Sequence, residues 1–339
     1  MKKLISYLLV STMAIGSLTA CSNSNQQTTT QTTDEDKLNI VCTIFPEYDW
    51  VKEILGEHIE NAEITLLMNN GTDLHSYQPT TDDMINISSC DMLVYVDGES
   101  DHWVEDAIKE ANNKDMVVVS LMDVLGDDIK QEELIEGMEK DEHENDLFED
   151  ELDEDQHEEA PAFDEHVWLS LQNAEKICDY IATQLGEIDP TNAADYTANA
   201  NAYHAKLEAL NESYENAIAQ AKTKTILFGD RFPFRYLVDD YDLSYYAAFE
   251  GCSAETEASF ETIVFLANKV DELGLHTVLT IDNANHNIAK TIVENTKEKN
   301  QEILSLNSMQ NITSNDIENN VTYLSIMEDN LETLQATLN

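Results

Sequence analysis

The sequence predicts an α/β protein of two parallel-sheet lobes joined by a single long, rigid backbone helix. Three observations point there. Short apolar runs rich in β-branched residues alternate with helical patterns from residue 38 to residue 119, and the alternation resumes at residue 225. Between these blocks, residues 172–222 hold scarcely a breaker apart from Gly186 and Pro190. The chain of 339 residues is long enough to bury two real cores.

The N-terminus reads as a targeting segment. Lys2 and Lys3 make a basic start, Leu4 to Ile15 an apolar core too short to span a bilayer, and Leu18-Thr19-Ala20-Cys21 looks like a bacterial lipobox. Residues 1–20 are the expected signal peptide, and Cys21 the expected lipidation site. Two acyl chains there would give stable membrane attachment. Residues 21–36, rich in Ser, Thr, Asn and Gln, read as a flexible tether. The mature chain is expected to be extracytoplasmic and lipid-anchored to the bacterial cell membrane.

Residues 37–170 form the expected N-terminal lobe. Leu38 to Ile44 suits a strand buried on both faces, and Pro46 opens a helix with Trp50, Val51, Ile54 and Leu55 on one side, ending at Gly56. Ala62 to Met68 is a second strand, followed by a polar loop holding His75. A helix from Pro79, a strand at Asp91 to Val96, a helix around Trp103 and a strand at Val117 to Val119 complete the lobe. Residues 171–222 are the linking region, where the pattern beyond Pro190 gives a helix of roughly 45 Å at 1.5 Å per residue. Such a spine resists hinge opening. Residues 223–339 form the second lobe, with strands at Thr225–Phe228, Ser244–Phe249, Thr277–Ile281 and Glu302–Leu306. Its helices are expected at Phe234–Asp240, Phe260–Leu273, Asn287–Thr296 and Val321–Leu338.

A long acidic stretch, about residues 126–163, interrupts this order before Asp164-Glu165-His166-Val167-Trp168. So many carboxylates repel one another and bury little, so the stretch is expected to be a mobile loop. His143 and His157 are set into it, and imidazoles among carboxylates suit a borderline cation such as zinc in loose, fast exchange. The net charge of -50, or -52 once Lys2 and Lys3 leave, excludes nucleic acid and favours a cationic ligand. Cys42, Cys90, Cys178 and Cys252 are widely spaced without a C-x-x-C pair, and read as core thiols rather than metal ligands.

Ligands of parallel α/β lobes bind beyond the carboxyl ends of the strands. By that rule four polar segments converge: His75 after the second strand, His166 closing the acidic loop, Asp230 after the first strand of the second lobe, and Asn307 after its last. Arg231 and Arg235, the only arginines, flank this region, and their rigid forks suit a fixed carboxylate such as Asp230 or Glu255.

The lipobox, TIFPEYDWVKEI, GTDLHSYQPTTDDM, VYVDGESDHWVEDA, DEHVWLS and GDRFPFRYLVDDYDL together resemble the metal-specific solute-binding lipoproteins of ABC importers, the zinc/manganese group. The resemblance covers the whole chain after the tether. It implies a single cation in the interlobe cleft, held by four side chains and delivered to a membrane permease. His75 matches the first ligand position and His166 the second. Asp230 stands one residue off the register of the third, and Asn307 stands where the fourth is usually Asp. A neutral amide is the poorer ligand, and Asp282, His286 and Gln310 are possible substitutes. The acidic His-containing loop favours Zn2+ as the transported ligand; the two-His, one-carboxylate set favours the alternative, Mn2+.

The expected protein is therefore a monomeric Zn2+-capturing lipoprotein that feeds an ABC importer permease. A zinc hydrolase is disfavoured, because the chain has no H-E-x-x-H helix and no Ser-His-Asp pattern. A surface metal buffer or adhesin without a transporter is the remaining alternative.

Overall fold

The computed structural model describes residues 37–139, 162–253, 257–282 and 285–339. The expected signal peptide, tether and Cys21 lie outside these residues, as do His143 and His157. No described helix is long and apolar enough to cross a membrane.

The first sheet is wholly parallel. β1 (Leu38–Cys42), β2 (Ala62–Leu66), β3 (Met92–Tyr95) and β4 (Val117–Ser120) lie in the order β2-β1-β3-β4. Their crossovers are α1 (Phe45–Leu55), α2 (Thr81–Ser89) and α3 (Trp103–Glu110), with α4 (Leu121–Leu125) following β4. β3 is buried at every position, as its unbroken apolar run requires with both faces covered. Helix α1 begins where its sequence says: Pro46 stands in the first turn, and the buried Glu47 carboxylate reaches back to the Thr43 and Ile44 amides at 2.7 and 3.1 Å.

Pro190 divides the linking region into two helices, α5 (Leu171–Ile188) and α6 (Ala193–Ala219). Their short turn folds them into an antiparallel pair. Helix α6 has 27 residues, about 40 Å at 1.5 Å per residue. It buries Tyr196, Ala200, Tyr203, Leu207, Leu210 and Tyr214 along one stripe, against α1 at one end and the C-terminal α11 (Tyr323–Leu338) at the other. The spine thus touches a helix from each side of the molecule.

In the second half, β5 (Thr225–Leu227) pairs with β6 (Ser244–Tyr246), and β7 (Thr277–Ile281) with β8 (Glu302–Leu306), all parallel. Among the described residues, the bridge Phe228 to Leu279 joins the two ladders. Helices α7 (Arg235–Asp240), α8 (Phe260–Leu273), α9 (Asn287–Asn295), α10 (Ser314–Glu318) and α11 complete it. β6 stops short of the expected Phe249 because the chain beyond it turns to other partners. The Ala248 amide donates to the Asp230 carbonyl at 3.1 Å, and its carbonyl accepts from Glu139 at 2.9 Å.

One hydrophobic cluster runs from β1 and β3 through α5 and α6 to Tyr323 and Leu338, so the two halves share a core. Polar ties cross it. The Asp49 carboxylate on α1 accepts the Tyr323 amide at 2.8 Å, the Tyr323 hydroxyl donates to the Trp168 carbonyl at 2.8 Å, and the Trp168 indole donates to the Ser308 carbonyl at 2.9 Å.

Burial pushes the Asp49 carboxyl up to about 6, although the Tyr323 amide favours its charged form. The folded chain therefore holds a proton there that the unfolded chain releases near pH 4. This contribution to stability is full below about pH 4 and lost as pH rises through about 6. Asp49→Asn keeps an acceptor for Tyr323 and carries no charge. Its melting temperature should fall less between pH 4 and 6 than the parent's, by the equivalent of about 2 kcal/mol; parallel curves for the two proteins would refute the assignment.

Candidate metal centre

Asp73 sets the first imidazole. It caps the short 3-10 turn Leu74–Ser76, its Oδ1 accepting the His75 amide at 3.0 Å. Arg231 donates to the other oxygen of Asp73 from across the cleft. Asp73 is therefore a carboxylate that the Arg231 fork holds, where Asp230 was expected, and it orients the turn bearing His75; Glu255, the other expected partner, lies outside the described residues. Arg235 pairs instead with Asp239 and Glu133, at 3.2 and 3.4 Å.

The second imidazole is fully buried. Asp164 Oδ1 accepts both the His166 amide, at 2.8 Å, and its Nδ1–H, at 2.9 Å. Burial disfavours a charged His166, but the charge and hydrogen bond of Asp164, with Glu165 and Glu132 beyond, hold its pKa above the usual histidine value. His75 Nδ1 faces Glu165 Oε1 at 2.9 Å and Ser100 Oγ at 2.7 Å. The Ser100 hydroxyl and amide both donate to that same Glu165 carboxylate. Burial alone would raise the Glu165 carboxyl; the hydrogen bond and charge of His75, with His166 and Ser100, bring it down to about 2.

Each ring is thus fixed through Nδ1 by a carboxylate, which turns both Nε2 atoms toward the centre. The two Nε2 atoms point at each other, 3.1 Å apart. Carboxylate-supported imidazoles are the usual arrangement around a bound metal, because the support fixes the tautomer and raises ligand basicity. A third donor adjoins them: one ligand atom from each of His75, His166 and Cys252 lies within 4.8 Å of the others.

Cys42, Cys90 and Cys178 are core thiols as expected, but Cys252 is not. Its segment, Glu250-Gly251-Cys252-Ser253, packs against His166, with Gly251 leaving room. A Cβ at Gly251 would stand 3.1 Å from the His166 ring. Burial and then the charges of Glu165, Glu132 and Asp164 push the Cys252 thiol well up. A thiol so ringed by carboxylates gives up its proton readily only when a cation takes the proton's place. In the sequence the clue was Gly251 before Cys252 at the end of a strand pattern; the wide spacing of the cysteines hid it.

Asp230 and Asn307 are not brought to this cluster. Asp230 turns into its own half, where its oxygens accept from the Arg231 amide at 2.9 Å and the Ile281 amide at 3.4 Å. Asn307 Oδ1 closes a tight turn by accepting the Met309 amide at 2.7 Å, and its own amide is held by Asn330. Of the substitutes, Asp282 binds Ser308, and His286 meets Thr280 through Nδ1 at 2.9 Å. Gln310 is the one at the centre. With its amide oriented to suit its neighbours, it donates to Asp73 at 3.0 Å and accepts from His166 Nε2 at 3.2 Å.

The family model described as ZnuA, zinc-uptake complex component A, periplasmic, matches residues 40–337. The chain belongs to this family. Among ZnuA relatives, the zinc-binding lipoprotein AdcA of Streptococcus pneumoniae is 32% identical over 99% of this chain and 61% of its own length. The chain thus spans about three fifths of that relative. The high-affinity zinc uptake system protein ZnuA of Bacillus subtilis is 28% identical, over 94% of this chain and 93% of its own. The Zn(II)-bound ZnuA-like domain of S. pneumoniae AdcA superposes with a TM-score of 0.67 at 27% identity, covering 89% of this chain and 99% of that one. A laminin-binding adhesin of Streptococcus agalactiae, at 22% identity and a TM-score of 0.70, covering 89% of this chain and 100% of that one, shares the fold. The expected fold of ZnuA-like two-lobe proteins, parallel-sheet α/β halves around long helices, is the one observed.

Close approach at Gly98 makes the centre testable without metal. A Cβ there would fall 1.9 Å from Glu165 Oε2, inside the carboxylate that braces His75. Gly98→Ala should lower stability by about 2 kcal/mol or more. In the His75 NMR signals it should also abolish the evidence of a fixed tautomer; unchanged signals would refute the packing described.

Proposed function

We propose that the chain is an extracytoplasmic lipoprotein that captures Zn2+ between its two halves and passes it to an ABC importer permease. The observation that carries this reading is the facing pair of imidazole Nε2 atoms with Cys252 beside them. His75, His166 and Cys252 would be the first three ligands, replacing the Asp230 and Asn307 suggested by the sequence. Two imidazoles and a thiolate suit zinc, whereas manganese prefers oxygen donors. The donor set thus favours Zn2+ over the Mn2+ alternative.

Two further features support the transport role. The ties through Asp49, Tyr323 and Trp168 join the halves and leave little scope for wide hinge opening. Release would then follow small shifts of the segments bearing His75 and Cys252 on docking to the permease. The acidic stretch with His143 and His157 would gather ions outside the centre, and acylated Cys21 would hold the protein, a monomer, at the membrane. The domain boundaries read from the sequence, with lobes at 37–170 and 223–339 about a 171–222 link, are part of the same proposal.

Isothermal titration with Zn2+ and Mn2+ tests it. Tight Zn2+ binding at one site and far weaker Mn2+ binding are expected. His166→Ala should weaken the Zn2+ site by orders of magnitude, while deletion of residues 140–160 should leave one tight site. Asn307→Asp should change the affinity little, its side chain being committed to a turn. Loss of the tight site on the deletion, with His166→Ala silent, would reverse these roles.

A further inference from the structure

The three donors at the centre leave one position of a tetrahedral ion open, and zinc that is held rather than used for catalysis is almost always four-coordinate. The described side chains around the pair leave few candidates. Asp164 and Glu165 are engaged as the supports of His166 and His75. Asp73 is held by Arg231 and the His75 amide. Asp230 accepts from backbone amides of its own half. Gln310 reaches His166 but brings only a neutral amide.

Glu132 differs from all of these. Its Oε1 is closed off from solvent and has no hydrogen-bond partner. The side chain forms a wall of the small cavity bounded also by Asp164, Phe232, Glu250 and Gly251, directly behind the Gly251–His166 contact. Its carboxylate hydrogen-bonds the Cys252 thiol through its other oxygen and lies within the field of His166, outside the 4.8 Å group of donor atoms that His75, His166 and Cys252 form. An acceptor oxygen left unpaired in such a place is costly unless something positive arrives to meet it.

The backbone holds Glu132 there. It sits at the start of the acidic stretch, where the Glu132 amide donates to the Ala162 carbonyl at 3.0 Å and Gln131 bridges Phe163. The Asp164 amide donates to the Lys130 carbonyl at 2.9 Å, and the Tyr236 hydroxyl accepts the Lys130 amide at 3.0 Å. The two ends of the stretch are therefore stitched together next to His166.

We propose that Glu132 supplies the fourth ligand of the zinc centre, so that the base of the acidic stretch is itself part of the cation's coordination shell. This rests on the His75–His166–Cys252 reading above. A thiolate and a carboxylate together cancel the charge of Zn2+, which a neutral Gln310 would leave half-compensated.

The test uses the full mature chain loaded with Co2+, whose spectrum reports its ligands, together with Zn2+ competition titrations. In the parent, a thiolate-to-Co2+ charge-transfer band in the near ultraviolet is expected, and Cys252→Ser should remove it. Glu132→Gln, close in shape, should keep that band, alter the visible ligand-field bands and weaken Zn2+ binding by about 100-fold. Glu250→Gln, on the same cavity wall, should do neither. A parent without the charge-transfer band would sink the three-ligand reading and this inference with it. A parent with the band, but with a Glu132→Gln spectrum and affinity like the parent's, would overturn the role of Glu132 alone. The same holds if Glu250→Gln produces the change. Melting curves of the Glu132→Gln apo-protein, expected to match or exceed the parent's because a buried unpaired oxygen loses its charge, separate ligand loss from misfolding.

Discussion

Two imidazoles facing each other through their Nε2 atoms are the constraint around which the site is arranged. Without the Glu165 and Asp164 carboxylates the rings would rotate to find solvent or backbone partners. With them, the rings are oriented in advance and their Nε2 atoms converge, which is the arrangement a bound cation would need. The supports need supports in turn. Ser100 and the close approach at Gly98 hold Glu165, while Asp73 holds the turn under His75.

This arrangement spans elements that are far apart in sequence, and its accuracy depends on how firmly they are joined. The shared hydrophobic cluster and the spine helix α6 provide the bulk of that rigidity. The Trp168 side chain adds direction: it follows His166 by two residues, and its indole and backbone carbonyl are both tied to the second half, at Ser308 and Tyr323. The segment that carries the buried histidine is thereby fixed to both halves at once. Arg231 does the same for His75 through Asp73.

Much of the architecture was legible in the sequence. Strand–helix alternation is a local pattern, and β7, β8 and α8 match the expected boundaries residue for residue. His75 was expected after a strand pattern in a polar loop and His166 at the close of the acidic stretch, and the structure brings the two rings together. The other two expected ligands, Asp230 and Asn307, stand apart from this pair for a physical reason. Being at a strand end does not fix where a side chain points, and at Asp230 and Asn307 nearby backbone amides compete successfully for the oxygens. Cys252 was hidden by the opposite error: an isolated cysteine in apolar surroundings has the composition of a core residue, and only the contact of Gly251 with the His166 ring reveals its neighbours. The end of β6 was overrun because long-range pairing with Glu139, beyond the reach of any local window, ends the strand.

The pinned ends of the acidic stretch have an engineering consequence. Gln131 is bridged to Phe163, and Glu139 is bonded to Ala248 and, through its carboxylate, to the Ser259 amide. These anchors fix the described residues on either side of residues 140–161 to the body of the protein. A fluorescent protein grafted there would be held at one end by Glu139 against Ala248 and Ser259 and at the other by Phe163 against Gln131, so its orientation would report on movement between those two anchor points.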